Sequence, residues 1–430
     1  MPRPLGPISL LALGVNGVVG VGIFFAPASV AAELPGMAGV AAYVVTAMAL
    51  LPIALSYSAL GARFQVDGGP TVWADAAFGP RFAFFVGWLT FVSSLLSLAA
   101  VSSGLAFHAS PLVGVTSDMG IRVLAATCTL SLASLASTGL RPSSVVWTAV
   151  TVLKLFPLFG LVAFGLARYA AVSIPATTVA AAAAALALSR HSLGGAVLIV
   201  VFALQGFEIV PLLAGSTERP ERTVPLATVG ALLIAAALYS ALHALAVHAV
   251  PDLGSSHAPL AEAARAYGGR AAERLVLAGA NLSALGIAFG MLNTTPRYLS
   301  ALSGEMAFGP WIGKLDDRLV PQRALLLTAL ASALTVLLAS RSMDLFVLSS
   351  LAVLAQFGAT VASLLVLGLR KIRGLSGTHV ALAALSLLGI GLVATGAEAK
   401  PLGIAAVVVA FGEVLRFVAQ WRLRGRPAPS

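Results

Sequence analysis

Charged residues are scarce in this sequence, and cysteine is almost absent. Asp, Glu, Lys and Arg make up 10% of the 430 residues, 59% are hydrophobic, and the mean hydropathy is +0.98. Soluble domains average about a quarter charged residues, so this composition excludes a soluble protein and predicts a polytopic membrane protein. The single cysteine, Cys128, excludes an intramolecular disulfide and a cysteine-based metal site.

Signatures of enzymes and of nucleic-acid binding are missing as well. The chain has no nucleotide-phosphate loop, no zinc-spaced His/Glu set and no nucleophile elbow, so we expect no enzyme activity, no cofactor and no metal. The net charge of +10 falls in short loops and forms no basic patch with interleaved aromatics. Nucleic acid is therefore not expected as a partner.

Long apolar runs divide the chain into membrane spans. The first run continues to about Ala32 without a cleavage site, which indicates a retained span and not a signal peptide. The stretch Ala180–Ser189 is short and Ala-rich, and we expect a helix in an external loop there. Because about 20 apolar residues cross a bilayer, the sequence predicts twelve spans, near 8–32, 38–62, 82–108, 121–139, 143–167, 194–216, 224–250, 272–299, 323–341, 343–369, 376–396 and 401–421.

Basic residues between the spans predict the orientation in the cell (inner) membrane. With the N-terminus inside, 17 of the 26 Lys and Arg residues fall in cytoplasmic segments, and Lys154 alone remains in mid-membrane. The positive-inside rule therefore predicts that both termini are cytoplasmic. The eight basic residues on the external side are Arg122, Arg168, Arg190, Arg265, Arg270, Arg274, Arg341 and Lys400.

Two spans carry the same signal for a broken helix. Gly22 and Pro27 in span 1 are five residues apart, as are Gly206 and Pro211 in span 6. A helix in lipid must satisfy its backbone groups internally, so a break indicates a protein-lined cavity where those groups meet a ligand. A lone glycine run would favour close helix packing instead, but matching breaks in two halves of a chain indicate the binding site of an inverted-repeat transporter.

The spacing of the breaks predicts the domain organisation. The second break lies five spans after the first, so the second copy enters the membrane from the opposite side. The sequence predicts an all-α membrane protein with a first inverted repeat at 1–168, an external loop at 169–193 and a second repeat at 194–369. Two further helices and a cytoplasmic tail occupy 370–430.

Polar residues inside the spans are the candidates for coupling. Lys154 lies mid-way along span 5, where we expect a buried ammonium bonded to carbonyls of the span 1 break and to hydroxyls of span 8 such as Ser283; snorkelling is the alternative. In that position it would replace a metal cation, and it could also release a proton. Glu208 carries a proton or caps the second half of span 6.

Span 6 also offers groups for a substrate. Its unwound carbonyls can accept hydrogen bonds from an ammonium, and Phe202 is a candidate gate or an ordinary core residue. We expect polar residues of other spans either to line the substrate pocket or to bond to neighbouring helices. These weaker candidates are Ser93, Ser94, Ser97, Asn281 and Gln356.

Several motifs, in the right order over most of spans 1–10, resemble the amino acid–polyamine–organocation (APC) superfamily with its LeuT-type fold. They are Gly20-Val21-Gly22-Ile23-Phe24; Gly68-Gly69-Pro70 with Ala77-Phe78-Gly79-Pro80 and Gly87-Trp88; Phe202 to Glu208 with Ala214-Gly215, Glu218, Pro220 and Pro225; Ala258-Pro259-Leu260-Ala261; and Pro296-Arg297.

The resemblance implies where a substrate amino acid binds. Its carboxylate would meet the N–H groups of Val21, Gly22 and Ile23, and its amine would meet carbonyls near Phe202 and Ala203. In sodium-independent members a span 5 lysine occupies a sodium position, which Lys154 matches. Many relatives have a small hydroxyl residue where this chain has Val21, so contacts through that hydroxyl are not expected. We also include Gln205, Gly206, Ser97 and Asn281 in the predicted substrate site.

The sequence thus predicts a sodium-independent amino acid transporter that works by alternating access, proton-coupled or as an exchanger. The pocket candidates include no clear acidic residue that could pair with a cationic side chain of a substrate. This favours small or apolar neutral amino acids as substrates. The alternatives are an exporter or a polyamine carrier of the same fold, a major facilitator carrier, an ion channel, or a membrane-embedded enzyme. The basic loop motif of the major facilitators is missing after span 2. The oligomeric state is not predicted.

Overall fold

All elements in this computed structural model are helical. The structure describes residues 5–64, 69–140, 144–169, 190–303, 310–339, 342–397, 403, 407 and 410–417. The α-helices are α1 Pro7–Val18, α2 Gly22–Glu33, α3 Ala38–Arg63, α4 Pro70–Phe78, α5 Pro80–Ala109, α6 Asp118–Ser137, α7 Ser144–Tyr169, α8 Arg190–Leu204, α9 Pro220–Ala249, α10 Pro259–Leu302, α11 Pro310–Gly313, α12 Gln322–Leu338, α13 Ser342–Leu369 and α14 Gly377–Ala394. Short 3₁₀ helices lie at Ser110–Val113, Phe207–Ser216, Leu253–Ser255 and Ile372–Gly374.

Most of the predicted spans correspond to helices of this structure. Among the described residues, nine helical segments are long and apolar enough to cross a membrane, and α1 with α2 forms a tenth that is bent by 48°. Helix α12 is apolar but has only 17 residues. The predicted loop helix Ala180–Ser189 and most of the predicted span 401–421 lie outside the described residues. The chain is therefore an integral multi-pass membrane protein, and the arrangement of twelve helices stays a prediction.

Helix α10 includes a segment that precedes predicted span 8. It runs from Pro259, but Gly269 with φ of 74° interrupts it, and the part after this kink begins close to the predicted boundary at 272. Proline is favoured in the first turn of a helix, and the alanines that follow have the highest helix propensity. The segment before the kink is therefore helical although its composition resembles a loop.

One compact unit contains the described parts of residues 1–69, 143–284 and 360–397. It includes both broken spans, α3, α7, α9 and α14. Small side chains let its helices approach closely, as membrane helices require. Its core includes Leu10 of α1, Val210 of the 3₁₀ helix and Ala227 of α9.

A second compact unit contains the described parts of residues 70–142, 285–359 and 398–430. Hydrogen bonds between polar side chains join α5 to α13 in its interior. Ser93 Oγ donates to Gln356 Oε1 at 2.6 Å, and the hydroxyls of Ser97 and Ser349 are 2.7 Å apart. Such bonds satisfy polar groups that would otherwise be costly in an apolar interior.

The two broken spans run side by side in opposite directions. At one end, Leu5 N donates to Ser216 O at 2.8 Å and Glu218 N donates to Leu5 O at 2.9 Å. At the other end, a Cβ built on Gly195 would lie 3.2 Å from Cδ of Glu33. The beginning of span 1 therefore lies beside the end of span 6, as expected when the second span comes an odd number of positions after the first.

Candidate functional site

The predicted break in span 1 is confirmed. Helix α1 ends at Val18, and Val19 leaves the helix with φ of −73° and ψ of 84°. Helix α2 begins at Gly22. Because the first N–H groups and the last C=O groups of a helix have no intrahelical partner, the break exposes both kinds within a few residues.

The predicted break in span 6 is also confirmed. Gly206 has φ of 118°, a conformation that favours glycine, and it separates α8 from the 3₁₀ helix Phe207–Ser216. Gly206 N donates to Glu208 Oε2 at 2.7 Å. The Glu208 carboxylate thus lies at the N-terminal end of the second half-helix, where the helix dipole favours a negative charge. This is the geometry of a cap.

The two breaks contact each other through glycines. A Cβ on Gly206 would overlap the carbonyl group of Gly17, and one on Gly22 would lie 2.8 Å from Cα of Ala203. The same Cβ would lie 3.4 Å from Cδ1 of Phe202, so the predicted gate residue packs against the start of α2. No larger residue fits at these crossings, which explains why glycines occur there.

Lys154 is buried at the end of α1. Its side chain is 3% exposed, and Nζ donates to Asn16 O at 3.0 Å and to Val19 O at 2.7 Å. The expected contact with carbonyls of the span 1 break is therefore formed, and the snorkelling alternative is wrong. The positive ammonium also faces the negative end of the α1 dipole, which stabilises both. Its role in coupling stays a prediction.

The expected bond between Lys154 and Ser283 is not formed. Within the described part of the chain, Ser283 Oγ is buried and has no hydrogen-bond partner. The backbones of α7 and α10 do approach here, because a Cβ on Gly279 would lie 2.9 Å from Cγ of Pro157. Ser283 lies one turn beyond Gly279, but the two Lys154 bonds go to α1 because its carbonyls have lost their helical donors.

Tyr239 is a site residue that the sequence analysis missed. Its hydroxyl donates to Val18 O at 3.0 Å, and its side chain is fully buried. Tyr239 of α9 and Lys154 of α7 therefore hold neighbouring carbonyls at the end of α1. Only the packing of α9 on α1 reveals this role, since a single tyrosine in an apolar span has no distinguishing pattern.

We expect Tyr239→Phe to destabilise the protein slightly, because it removes one buried hydrogen bond, worth about 0.6 kcal/mol on average inside membrane proteins. Tyr43→Phe is the matched control, because the Tyr43 hydroxyl is buried and has no hydrogen-bond partner among the described residues. Thermal unfolding of purified protein checks both. A larger loss of stability in Tyr43→Phe than in Tyr239→Phe would contradict this assignment.

One set of backbone donors and one set of backbone acceptors lie at the two breaks. The N–H groups of Val21, Gly22 and Ile23 lie at the start of α2, ahead of its first intrahelical bond. The carbonyls of Ala203 and Leu204 lie at the end of α8, past the bond from Gln205 N to Val201 O. This pair of groups complements a ligand that carries both an anion and a hydrogen-bond donor.

The remaining predicted residues have other partners. Asn281 Nδ2 donates to Leu277 O of its own helix at 3.0 Å. Ser97 belongs to the second unit, where it bonds to Ser349. Gln205 lies half-buried in the turn between the two halves of span 6. A substrate contact for any of them stays a prediction.

Two helices broken side by side, in a chain of many apolar spans, define a membrane transporter of the broken-helix class. A sequence profile of the amino acid permease family matches residues 5–417, so the chain belongs to that family. Its relatives are amino acid transporters and exchangers.

Three relatives show the range of the family. The chain is 28% identical to an uncharacterized transporter of Mycobacterium tuberculosis over 94% of this chain and 90% of the relative. It is 24% identical to the serine/threonine exchanger SteT of Bacillus subtilis over 70% and 68% of the two chains. It is 22% identical to the branched-chain amino acid permease BcaP of Lactococcus lactis over 72% and 70%.

Proposed function

We propose that this protein carries neutral amino acids across the membrane by alternating access, without sodium. The observation that supports this most is the pairing of backbone groups at the breaks. An amino acid carries a carboxylate and an ammonium on one carbon, and the N–H groups of α2 and the carbonyls of α8 suit these two charges. The N-terminus of α2 adds a favourable dipole for the carboxylate.

Lys154 supports independence from sodium. A sodium ion bound at Asn16 O and Val19 O would compete with the ammonium that already bonds to both carbonyls. Two like charges a few ångströms apart repel strongly in a buried site. The fixed ammonium thus supplies the charge that a metal cation would otherwise supply. Substrate transport is then coupled to protons or to exchange with another amino acid.

The charges near the breaks favour a neutral side chain. Glu208 is the acidic residue of the span 6 turn, and its carboxylate is bonded to Gly206 N. It is therefore not free to pair with a cationic side chain.

We also propose the inverted repeat, with copies at 1–168 and 194–369, and cytoplasmic termini. The antiparallel pairing of the broken spans supports the first, and the excess of basic residues in predicted cytoplasmic loops supports the second. In such repeats the two half-helix ends face one central site. The loop at 169–193 and the segment 370–430 lie outside the copies.

Uptake of radiolabelled neutral amino acids into proteoliposomes tests this function. We expect uptake without sodium, driven by an inward proton gradient or by amino acid loaded inside. Analogues that lack the carboxylate or the amine should compete about tenfold or more weakly, because a hydrogen bond to a charged group contributes about 1.5–3 kcal/mol.

Each alternative has its own outcome in this assay. Strict sodium dependence would contradict the proposal. Equal competition by an amine without a carboxylate would favour the polyamine carrier. Transport only from the cytoplasmic face, in vesicles that hold the protein in one known orientation, would favour the exporter.

A further inference from the structure

Four arginines on the predicted external side lie in two helix segments, and the predicted orientation does not explain them. They are Arg168 at the end of α7 and Arg265, Arg270 and Arg274 on either side of the Gly269 kink in α10. External segments are normally poor in Lys and Arg. Half of the eight predicted external basic residues nevertheless belong to this one region.

An apolar groove lies between the same two helices. It has a volume of about 270 Å³, and its lining includes Phe156, Gly160 and Phe164 of α7 and Tyr267 and Leu275 of α10. Phe156 is 63% exposed although it lies in the middle of a membrane span. The groove therefore opens to the hydrocarbon region of the bilayer.

Arg168 borders this groove, and Arg265, Arg270 and Arg274 lie in the same stretch of α10 as the lining residues between 264 and 276. The Arg168 guanidinium lies 5.1 Å from the centre of the Phe164 ring, which lines the groove. Arg265 forms an ion pair with Glu273 at 3.7 Å. The other three, Arg168, Arg270 and Arg274, have no ion pair within the described ranges, and all four are exposed. Arg168 thus places a positive charge beside the apolar groove, and further arginines lie on the helix that lines its other side.

From this juxtaposition we infer that the groove binds an anionic phospholipid. An acyl chain occupies the space beside Gly160, and the phosphate lies among the arginines. Guanidinium groups bind phosphate through paired hydrogen bonds, and basic pockets between membrane helices bind lipid head groups. A lipid without net negative charge fills the groove equally well but leaves the arginines without a counter-charge.

The site borders the segment that holds Lys154. Pro157 lines the groove and also packs against Gly279, close to the backbone of Lys154. An acyl chain in the groove therefore supports the packing of α7 on α10 next to the coupling residue. The inference does not depend on which substrate is carried.

Lipid retention by the full-length protein tests this site. The protein is reconstituted in vesicles of equal phosphatidylcholine and phosphatidylglycerol, extracted in mild detergent, and its bound lipids are quantified by mass spectrometry. We expect enrichment of phosphatidylglycerol, reduced roughly fivefold by each of Arg168→Gln, Arg270→Gln and Arg274→Gln. Arg122→Gln, at the start of α6, is the control that should have no effect.

A second pair of variants tests the groove itself. Gly160→Leu fills it without a clash, because no atom lies within 4 Å of a Cβ at this position. It should abolish retention, whereas Ala163→Leu, exposed on α7 but outside the groove, should not. Equal retention of the two lipids by the unmodified protein, or unchanged enrichment in Gly160→Leu, would overturn the proposal. Either outcome is expected if other parts of the chain cover the groove and keep lipid out.

Discussion

Lys154→Ala is expected to lower amino acid uptake at least tenfold while the protein still folds. The substitution leaves Asn16 O and Val19 O buried without their donor, at a cost of about 1–3 kcal/mol for each carbonyl. It also removes the only positive charge at the end of α1 among the described residues. The span 1 break then loses both bonds from Lys154 and keeps the bond from Thr151 Oγ1 of α7 to Asn16 Oδ1 at 3.1 Å. We expect the N–H groups of α2 to lose their alignment toward the substrate.

The measurement is initial uptake in proteoliposomes, with size-exclusion profiles to check folding. Lys314→Ala is the matched control, because Lys314 is exposed in the short segment after α11 and should leave uptake unchanged. If Lys154→Ala transports normally, the coupling role of Lys154 is refuted. If transport returns only when sodium is added, the ammonium acts as a substitute for a cation, as proposed.

Gly206→Ala is expected to destabilise the protein by about 3 kcal/mol or more. Its φ of 118° is strained for any residue with a Cβ, and that Cβ would overlap the carbonyl of Gly17. Relief of the overlap requires the two breaks to separate, which disrupts the donors and acceptors proposed to bind substrate. Both stability and uptake should therefore fall.

A graded series of glycine substitutions checks this explanation. In Gly17→Ala the new Cβ would lie 3.1 Å from Gly206 O in a helical residue, so the loss should be smaller than in Gly206→Ala. Gly391→Ala has no atom within 4 Å and should be neutral or slightly stabilising, because alanine favours a helix. Thermal unfolding in detergent ranks the three variants by melting temperature. Equal melting temperatures for all three would refute contact between the breaks.

Both breaks could be predicted from the sequence because they are local properties of the backbone. Gly20 and Gly22 weaken the helix in span 1, and Gly206 adopts a conformation that other residues avoid. Lys154 could be predicted for a similar reason, since a lysine in mid-membrane must find buried acceptors wherever its helix packs. The confirmed break positions and the contact of Lys154 with span 1 follow from these constraints.

The partners of the other polar residues could not be predicted. Ser97 bonds to Ser349, more than 200 positions away, and Ser283 has no partner in the described part of the chain although it lies one turn from a close helix contact. Which neighbour a hydroxyl meets depends on the rotation of each helix about its axis. Apolar helices in lipid give little sequence signal for that rotation.

The sequence by itself determined that the chain is an integral membrane protein, that two of its spans are broken, and that one lysine is buried against the span 1 break. Each follows from the cost of backbone or charged groups in hydrocarbon, which no packing can avoid. Only the tertiary structure decided that the breaks touch through Gly17 and Gly206, that Tyr239 and Glu208 bond to backbone groups at the breaks, and that Arg168 lies beside an apolar groove. These depend on distances between segments far apart in the chain, set by how the helices pack.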